Sequence, residues 1–173
     1  CMQENLAERL TEIMKKYHVA PAQINLEITE TAAAHSDMLE NNIKILHKQG
    51  IEFSLDDYGS GYSNTDYLFR FPFRIVKIDK TILWEAFKNE KAMIALRNTI
   101  RMIKELGLEI VVEGVENQEY VDYLTEQHCD YLQGYFYSKP IPDRDFLELL
   151  RRENAQYYAE RFSKNELSDI ITT

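Results

Sequence analysis

The sequence predicts an α/β protein organised around a parallel β-sheet. Short apolar runs of strand length alternate with longer amphipathic patterns of helical spacing along most of the chain. One joint occurs twice, at 50–56 and at 107–113: a glycine that ends a helix, then a strand, then an acidic residue. Such alternation is typical of βαβ units with right-handed crossovers, so we expect five parallel strands in one sheet.

The first part of the chain predicts three helices and two strands. Apolar residues at helical spacing predict the first helix, and the polar–apolar alternation of QINLEIT predicts the first strand. Ser36 is a suitable N-cap for the second helix, and Lys48 and Gly50 suit its C-terminal end. In order, the elements are a helix over 5–18, a strand over 23–29 that ends in Glu27 and Glu30, a helix from Ser36 to Gly50, a strand over 53–56 and a short helix over 64–69.

The second part predicts three strands and three helices. Pro72 closes the short helix, and the RIVKID run that follows has the length and apolar content of a buried strand. Gly107 ends a long helix whose apolar residues recur at helical spacing. In order, the elements are a strand over 74–79, a helix over 91–106, a strand over 109–116, a helix over 118–127, a strand over 131–133 and a last helix that follows Pro140 and Pro142.

Two adjacent carboxylates, Asp56 and Asp57, end the strand at 53–56 and lead into a loop with two glycines. Adjacent carboxylates repel each other unless a cation or a hydrogen-bond donor lies between them. Gly59 and Gly61 permit positive φ and a close approach of the backbone to a ligand. An ordinary strand followed by an Asp/Gly turn is the alternative interpretation of this stretch.

Polar side chains recur where the predicted strands end. In parallel α/β folds the functional site lies at the carboxyl ends of the strands, so these side chains are expected to converge. Acids that converge from four strands favour a divalent cation over a solvated rim of salt bridges, which remains the alternative. The residues at these ends are Glu27, Asp56, Asp57, Lys77, Asp79, Glu113 and Gln133.

The composition is that of a globular protein and restricts its partners. The chain has 173 residues, 45% of them hydrophobic and 28% charged, with a formal net charge of −9. This charge argues against a surface that wraps DNA or RNA, although metal ions would still admit a small phosphate ligand. No apolar run is long enough to cross a bilayer. Cys1 and Cys129 are too few for a disulfide framework, so we expect a cytoplasmic setting, which includes the cytoplasmic part of a membrane-bound signalling protein.

Five motifs together resemble one known family. They are LEITE at 26–30, DDYGSGYS at 56–63, KID at 77–79, EGVE at 113–116 and QGYFYSKP at 133–140. Their order and separations resemble the EAL domain, the bacterial phosphodiesterase family that hydrolyses cyclic di-GMP. The resemblance covers residues 1–151 and leaves 152–173 as a C-terminal helical tail. It implies a partial TIM-like (β/α) barrel with about five parallel strands.

The resemblance also implies roles for individual residues around two Mg²⁺ or Mn²⁺ ions, with the linear dinucleotide pGpG as the product. It implies Glu27, Asp56 and Asp57 as metal ligands, and Lys77, Glu113 and Gln133 as catalytic residues. Glu30 resembles the glutamate that holds the loop from Tyr58 to Ser63. The further supporting and loop residues are Asp79, Glu116, Gly59 and Gly61, and the implied substrate-binding residues are Tyr62, Ser63, Tyr135 and Pro140.

The sequence departs from the family pattern at its start. The strand with the Glu-Ala-Leu glutamate and the strand with a metal-binding asparagine are both absent, so we expect impaired or absent hydrolysis by this chain. A non-catalytic module that binds cyclic di-GMP, or that mediates dimerisation, is the alternative function. Open sheet edges also predict self-association, and an upstream sensory or cyclase domain is compatible with the pattern. Tyr58 and Ser60, where the family has Phe and Thr, are expected to preserve the loop.

A few residues allow a second interpretation. Lys77 is also compatible with a Schiff-base lysine in an aldolase-like enzyme, because burial lowers the pKa of a lysine. The aromatic residues at 135–137 could stack on a guanine or simply pack. Trp84 is expected on a surface helix or in a partner contact. The four histidines, His18, His35, His47 and His128, show no metal-ligand spacing and are expected at the surface.

Overall fold

A computed structural model of the chain describes residues 6–34, 37–61 and 65–161. These residues divide into two units, the first ending at Tyr137 and the second beginning at Ser138. The first unit contains one parallel sheet of five strands that lie in sequence order. The predicted α/β class and five-stranded parallel sheet are therefore confirmed. Within the described part of the chain, no pairing joins the first strand to the fifth, so the sheet is not closed.

The elements follow the predicted alternation. The strands are β1 Asn25–Thr29, β2 Glu52–Tyr58, β3 Ile75–Ile78, β4 Glu109–Val112 and β5 Tyr131–Leu132. The helices of the first unit are α1 Leu6–Tyr17, α2 Glu30–Ala34, α3 Asp37–Lys48, α4 Tyr67–Arg70, α5 Lys80–Ala86, α6 Glu90–Glu105 and α7 Gln118–Glu126, with a 3₁₀ turn at Pro21–Gln23.

In the second unit, the described residues 138–161 contain one helix, α8, Asp143–Arg161. The predicted boundary between residues 151 and 152 falls inside this helix, and the separate tail stays a prediction. Among the residues described here, no helix combines the length and the hydropathy of a membrane span.

The sheet has two unlike faces because side chains alternate along each strand. One face carries Leu55, Val76, Ile78, Ile110 and Val112, all fully buried in the main core. The residues between them form the opposite face, which is polar or partly exposed over most of its area. Helices therefore cover one face, and the other face is available to hold a polar site.

Both predicted glycine stops are confirmed. Gly50 and Gly107 have φ of +94° and +76° and end α3 and α6 in the left-handed conformation. His18 and His128 occupy the same kind of position after α1 and α7, with φ of 55° and 56°. Residues other than glycine are uncommon at such positions, so these two helix ends were not predicted from a local pattern. Both histidines are exposed, as is His47, whereas His35 lies outside the described residues.

Two predicted boundaries were wrong, and one helix was not predicted. Glu30 does not end a strand but begins α2, directly after β1. The strand expected over 109–116 ends at Val112, and the chain then turns through Gly114 with φ of +74°. Helix α5 was not predicted as an element between the KID motif and the long helix, although Asp79 caps it by accepting a hydrogen bond from Thr81 N at 2.9 Å. The Ser36 cap cannot be assessed because Ser36 lies outside the described residues.

Candidate metal centre

Lys77, in β3, lies at the centre of a cluster of acids that come from β1, β2 and the residue directly after β4. Its Nζ atom is 3.0 Å from Glu27 Oε1, 2.8 Å from Asp56 Oδ1 and 3.0 Å from Glu113 Oε1. The Lys77 side chain is 11% exposed and that of Glu27 is 53% exposed, so the cluster is buried at the lysine and open on the β1 side. The sequence-based expectation that Glu27, Asp56 and Glu113 share one location therefore agrees with the geometry.

An irregularity in β2 brings the two adjacent aspartates together. Asp57 has φ of 58°, and the register between β2 and β3 shifts between Leu55 and Tyr58. In a regular strand, neighbouring side chains point to opposite faces, whereas a bulge re-aims one of them. Asp56, Asp57 and Glu113 consequently each place one carboxylate oxygen within 4.8 Å of the others.

The surroundings of the cluster raise the pKa of both Asp57 and Lys77, for different reasons. Burial, together with the negative charges of Asp56 and Asp79, raises the pKa of Asp57. Burial alone would lower the pKa of Lys77, but its contacts with Asp56, Glu27 and Glu113 outweigh burial and raise it. Lys77 therefore stays protonated at neutral pH. A Schiff-base lysine needs a lowered pKa, so the aldolase-like alternative is disfavoured.

The carboxylates of Asp56, Asp57 and Glu113 fit a hard divalent cation. Mg²⁺ and Mn²⁺ prefer oxygen ligands, and the gathered donors are all carboxylate oxygens. Asp56 Oδ1 is buried and, within the described residues, has the charge of Lys77 beside it but no well-directed hydrogen bond. A buried carboxylate oxygen that lacks such a partner is a natural metal ligand.

Glu30 holds the loop that follows β2. Its carboxylate is 2% exposed and its Oε2 atom accepts from Gly59 N at 3.0 Å and from Gly61 N at 3.3 Å. The hydroxyl of Tyr67, from α4, donates a short hydrogen bond to Glu30 Oε1. Gly59 has the expected positive φ, +87°, but Gly61 does not, which corrects the expectation for that residue.

Replacing Tyr67 with phenylalanine is expected to destabilise the fold by about 2 kcal/mol, because a hydrogen bond to a charged group is lost at a buried site. Chemical denaturation would measure this change. Tyr131→Phe is the matched control, since its hydroxyl lies 3.4 Å from Glu109 Oε2 on a half-exposed side chain, and we expect a cost below ~0.5 kcal/mol. Equal costs for the two variants would contradict the role of Tyr67 as the buried donor to Glu30.

The loop after β4 carries Glu113 and is fixed on two sides. Glu113 N donates to Ile78 O at 3.1 Å, and Gln133 Nε2 approaches Glu113 Oε1 at 3.4 Å. The indole Nε1 of Trp84 donates to Gly114 O at 2.9 Å. Trp84, which was expected on a surface helix or in a partner contact, lies in α5, is partly buried and binds this loop. A cavity of about 220 Å³ adjoins the loop, lined by Lys80, Trp84, Glu113, Gly114, Glu116, Gln133, Gly134 and Tyr135.

The remaining predicted residues have varied positions. Asp79 caps α5, and Glu116 is exposed beside the cavity. Tyr135 is 60% exposed at the same cavity. Pro140 is exposed and belongs to the second unit, and Tyr62 and Ser63 lie outside the described residues. Sequence reasoning missed Tyr67 and Trp84, because neither residue lies in a motif that carries the acids.

Comparison with known proteins gives one consistent result. The family described as EAL domain matches residues 1–140. The cyclic di-GMP phosphodiesterase RocR of Pseudomonas aeruginosa is 34% identical over 145 residues, which is 83% of this chain and 37% of RocR. The chain thus spans little more than a third of that relative's length.

Solved structures agree with this result. The PaMucR phosphodiesterase in complex with c-di-GMP has a TM-score of 0.76 and 28% identity, over 84% of this chain and 59% of that chain. The manganese and cyclic di-GMP complex of BlrP1 from Klebsiella pneumoniae has a TM-score of 0.74 and 26% identity, over 80% of this chain and 36% of that chain. EAL domains are TIM-like barrels, so the open sheet is a part of that architecture. The sequence motifs, the fold and the acid cluster agree, and the chain belongs to the EAL-domain family.

Proposed function

We propose that this chain is the metal-binding part of a phosphodiesterase that hydrolyses cyclic di-GMP to pGpG. The observation that carries the proposal is the convergence of Glu27, Asp56 and Glu113 on Lys77, from strand ends at one side of the sheet. The relatives named as cyclic di-GMP phosphodiesterases support the substrate. The manganese complex of a structural neighbour supports a divalent cation.

The residues of the cluster have different proposed roles: metal binding, charge stabilisation and orientation of a ligand. Asp56, Asp57 and Glu113 would hold a divalent cation through the oxygens that lie within 4.8 Å of one another, and Glu27 would add a ligand from the open side. When held by these residues, Mg²⁺ or Mn²⁺ would supply positive charge to the diester and would make the attacking water more acidic. Protonated Lys77 supplies a fixed positive charge for the phosphate, and Gln133 orients the Glu113 carboxylate.

The proposed reaction consumes one water molecule. A new P–O bond forms between the water oxygen and one phosphorus atom of the ring, and one P–O bond to a ribose oxygen breaks. The proton lost by the water balances the proton gained by the ribose oxygen. The ring opens once and gives the linear dinucleotide pGpG. A second cleavage is not needed.

The 173-residue chain alone is expected to bind cyclic di-GMP in the presence of Mn²⁺ and to hydrolyse it far more slowly than RocR assayed alongside. The reason is that the four carboxylates of Glu27, Asp56, Asp57 and Glu113 are few for a two-metal centre. Calorimetry would measure binding and chromatography would measure pGpG. Turnover equal to that of RocR would contradict the expected impairment. Binding that Mn²⁺ and the Asp56→Asn substitution both leave unchanged would contradict the proposed site.

A module that associates through its sheet is the second candidate function. Among the described residues, β1 and β5 each pair with one strand, and Asn25, Glu27 and Thr29 of β1 are exposed. Unpaired edges favour pairing with another chain, so we propose self-association of this chain. Light scattering is expected to show a dimer or larger species at micromolar concentration. A monomer that melts cooperatively would contradict self-association.

We also propose a cytoplasmic location for the chain. An upstream sensory or cyclase domain is compatible with this location. The two cysteines of the sequence are too few for a disulfide framework, which supports a reducing compartment.

A further inference from the structure

The only tryptophan of the chain lies beside the candidate metal centre without being part of its acid cluster. Trp84 is partly buried in α5, and its Nε1 donates to the backbone carbonyl of Gly114 at 2.9 Å. Gly114 directly follows Glu113, whose carboxylate contacts Lys77 Nζ at 3.0 Å. A neutral side-chain donor thus anchors the peptide unit next to one of the candidate ligands.

The contacts around Trp84 connect Lys77 with Glu113 through helix α5. Lys77 belongs to β3, and Asp79, two residues later, caps the helix that carries Trp84. The indole of Trp84 donates a hydrogen bond to the Gly114 carbonyl, and the carboxylate of the neighbouring Glu113 contacts Lys77 Nζ. Helix α5 therefore joins the lysine and the acid by a second route, separate from the backbone bond between Glu113 N and Ile78 O.

The loop is seated closely on α5. Gly114 has φ of +74°, and a Cβ atom at this position would lie 2.3 Å from Lys80 Cβ and 3.1 Å from Trp84 Nε1. Its carbonyl reaches the indole only because no side chain separates the two segments. The hydrogen bond therefore depends on both residues: Trp84 supplies the donor, and the missing side chain of Gly114 allows the close approach.

We propose that Trp84 is a positioning residue, which acts through the Gly114 carbonyl to hold the Glu113 carboxylate in the acid cluster. The indole does not touch the acids, so its effect is on the placement of Glu113 and not on the chemistry itself. Removal of such outer contacts typically weakens metal affinity. The part of this proposal that concerns metal affinity rests on the proposed function.

The test compares Trp84→Phe, which keeps an aromatic ring but lacks the N–H donor, with Phe73→Leu as a control. Phe73 is buried and packs against Phe71, before β3 begins, so its loss lowers stability without touching the loop. Hydrogen exchange reports the loop directly, through the amides of Glu113 and Val115, which donate to Ile78 O and Gln133 O. Calorimetry with Mn²⁺ reports the acid cluster.

In Trp84→Phe, both amides are expected to exchange about 3- to 10-fold faster relative to β2, and Mn²⁺ affinity to fall by a similar factor, as for one lost hydrogen bond. Phe73→Leu is expected to lower the melting temperature while neither quantity changes. Unchanged exchange in Trp84→Phe would overturn the proposal. Faster exchange with unchanged Mn²⁺ affinity would also overturn it, because Glu113 would then not depend on the anchor.

Gly114→Ala tests the same contact from the loop side. Its Cβ would separate the loop from α5, so the fluorescence of the single tryptophan is expected to shift to longer wavelength as the indole loses its partner. An unshifted spectrum with normal exchange would overturn the proposal. If the unmodified chain binds no Mn²⁺, the proposed function fails, and hydrogen exchange then decides the role of Trp84 by itself.

Discussion

Replacing Lys77 with methionine is expected to destabilise the chain by about 3 kcal/mol and to lower its melting temperature by about 6–12 °C. The substitution keeps the length of the side chain but removes the positive charge that lies within 3.0 Å of Glu27, Asp56 and Glu113. These carboxylates are then close together without a cation, in a site where water screens them poorly. Denaturation in a metal-free buffer would measure the loss.

The control for this prediction is another lysine. Lys88 pairs with Glu85 at 3.0 Å, but both side chains are more than 60% exposed. Exposed pairs of this kind contribute little, so Lys88→Met is expected to change stability by less than ~0.5 kcal/mol. A Lys77→Met protein as stable as the Lys88→Met protein would show that the acid cluster does not depend on its lysine.

Replacing Gly134 with alanine is expected to cost about 3 kcal/mol and to reduce Mn²⁺ affinity at least ~10-fold. A Cβ at this position would lie 2.0 Å from Val115 O and 2.3 Å from Val115 N. Backbone atoms cannot rotate away as a side chain can, so the loop from Glu113 to Val115 must move. Calorimetric titration with Mn²⁺ and thermal denaturation would measure both effects.

Gly107→Ala separates this steric effect from ordinary backbone strain. Gly107 has φ of +76°, and its Cβ would meet no atom within 4 Å. Left-handed strain alone is expected to cost about 1–2 kcal/mol and to leave Mn²⁺ affinity unchanged. Equal losses of Mn²⁺ affinity in the two alanine variants would contradict a specific contact between Gly134 and the loop that carries Glu113.

The sequence was informative wherever one local pattern decides the structure. Polar–apolar alternation located the first strand and short apolar runs located later ones, and the glycines at 50 and 107 marked two helix ends, because a left-handed residue is needed there. The acids at strand ends predicted a common location for Glu27, Asp56 and Glu113, since parallel strands end at the same edge of a sheet.

The features that the sequence did not reveal depend on contacts between distant segments. The bulge that aims Asp57 toward Asp56 and Glu113 arises from the pairing of β2 with β3. The hydrogen bonds from Tyr67 to Glu30 and from Trp84 to Gly114 span 37 and 30 residues. No periodicity records such pairs, and only the three-dimensional packing brings their partners together.

We propose that the carboxylates of Asp56, Asp57 and Glu113, gathered beside Lys77, hold a divalent cation. Diffraction from crystals of the chain grown with Mn²⁺, measured at a wavelength where manganese scatters anomalously, tests this claim directly. We expect an anomalous peak about 2.2 Å from carboxylate oxygens of Asp56, Asp57 and Glu113. No peak among these three residues at millimolar Mn²⁺, with the carboxylates still gathered around Lys77, would contradict the claim.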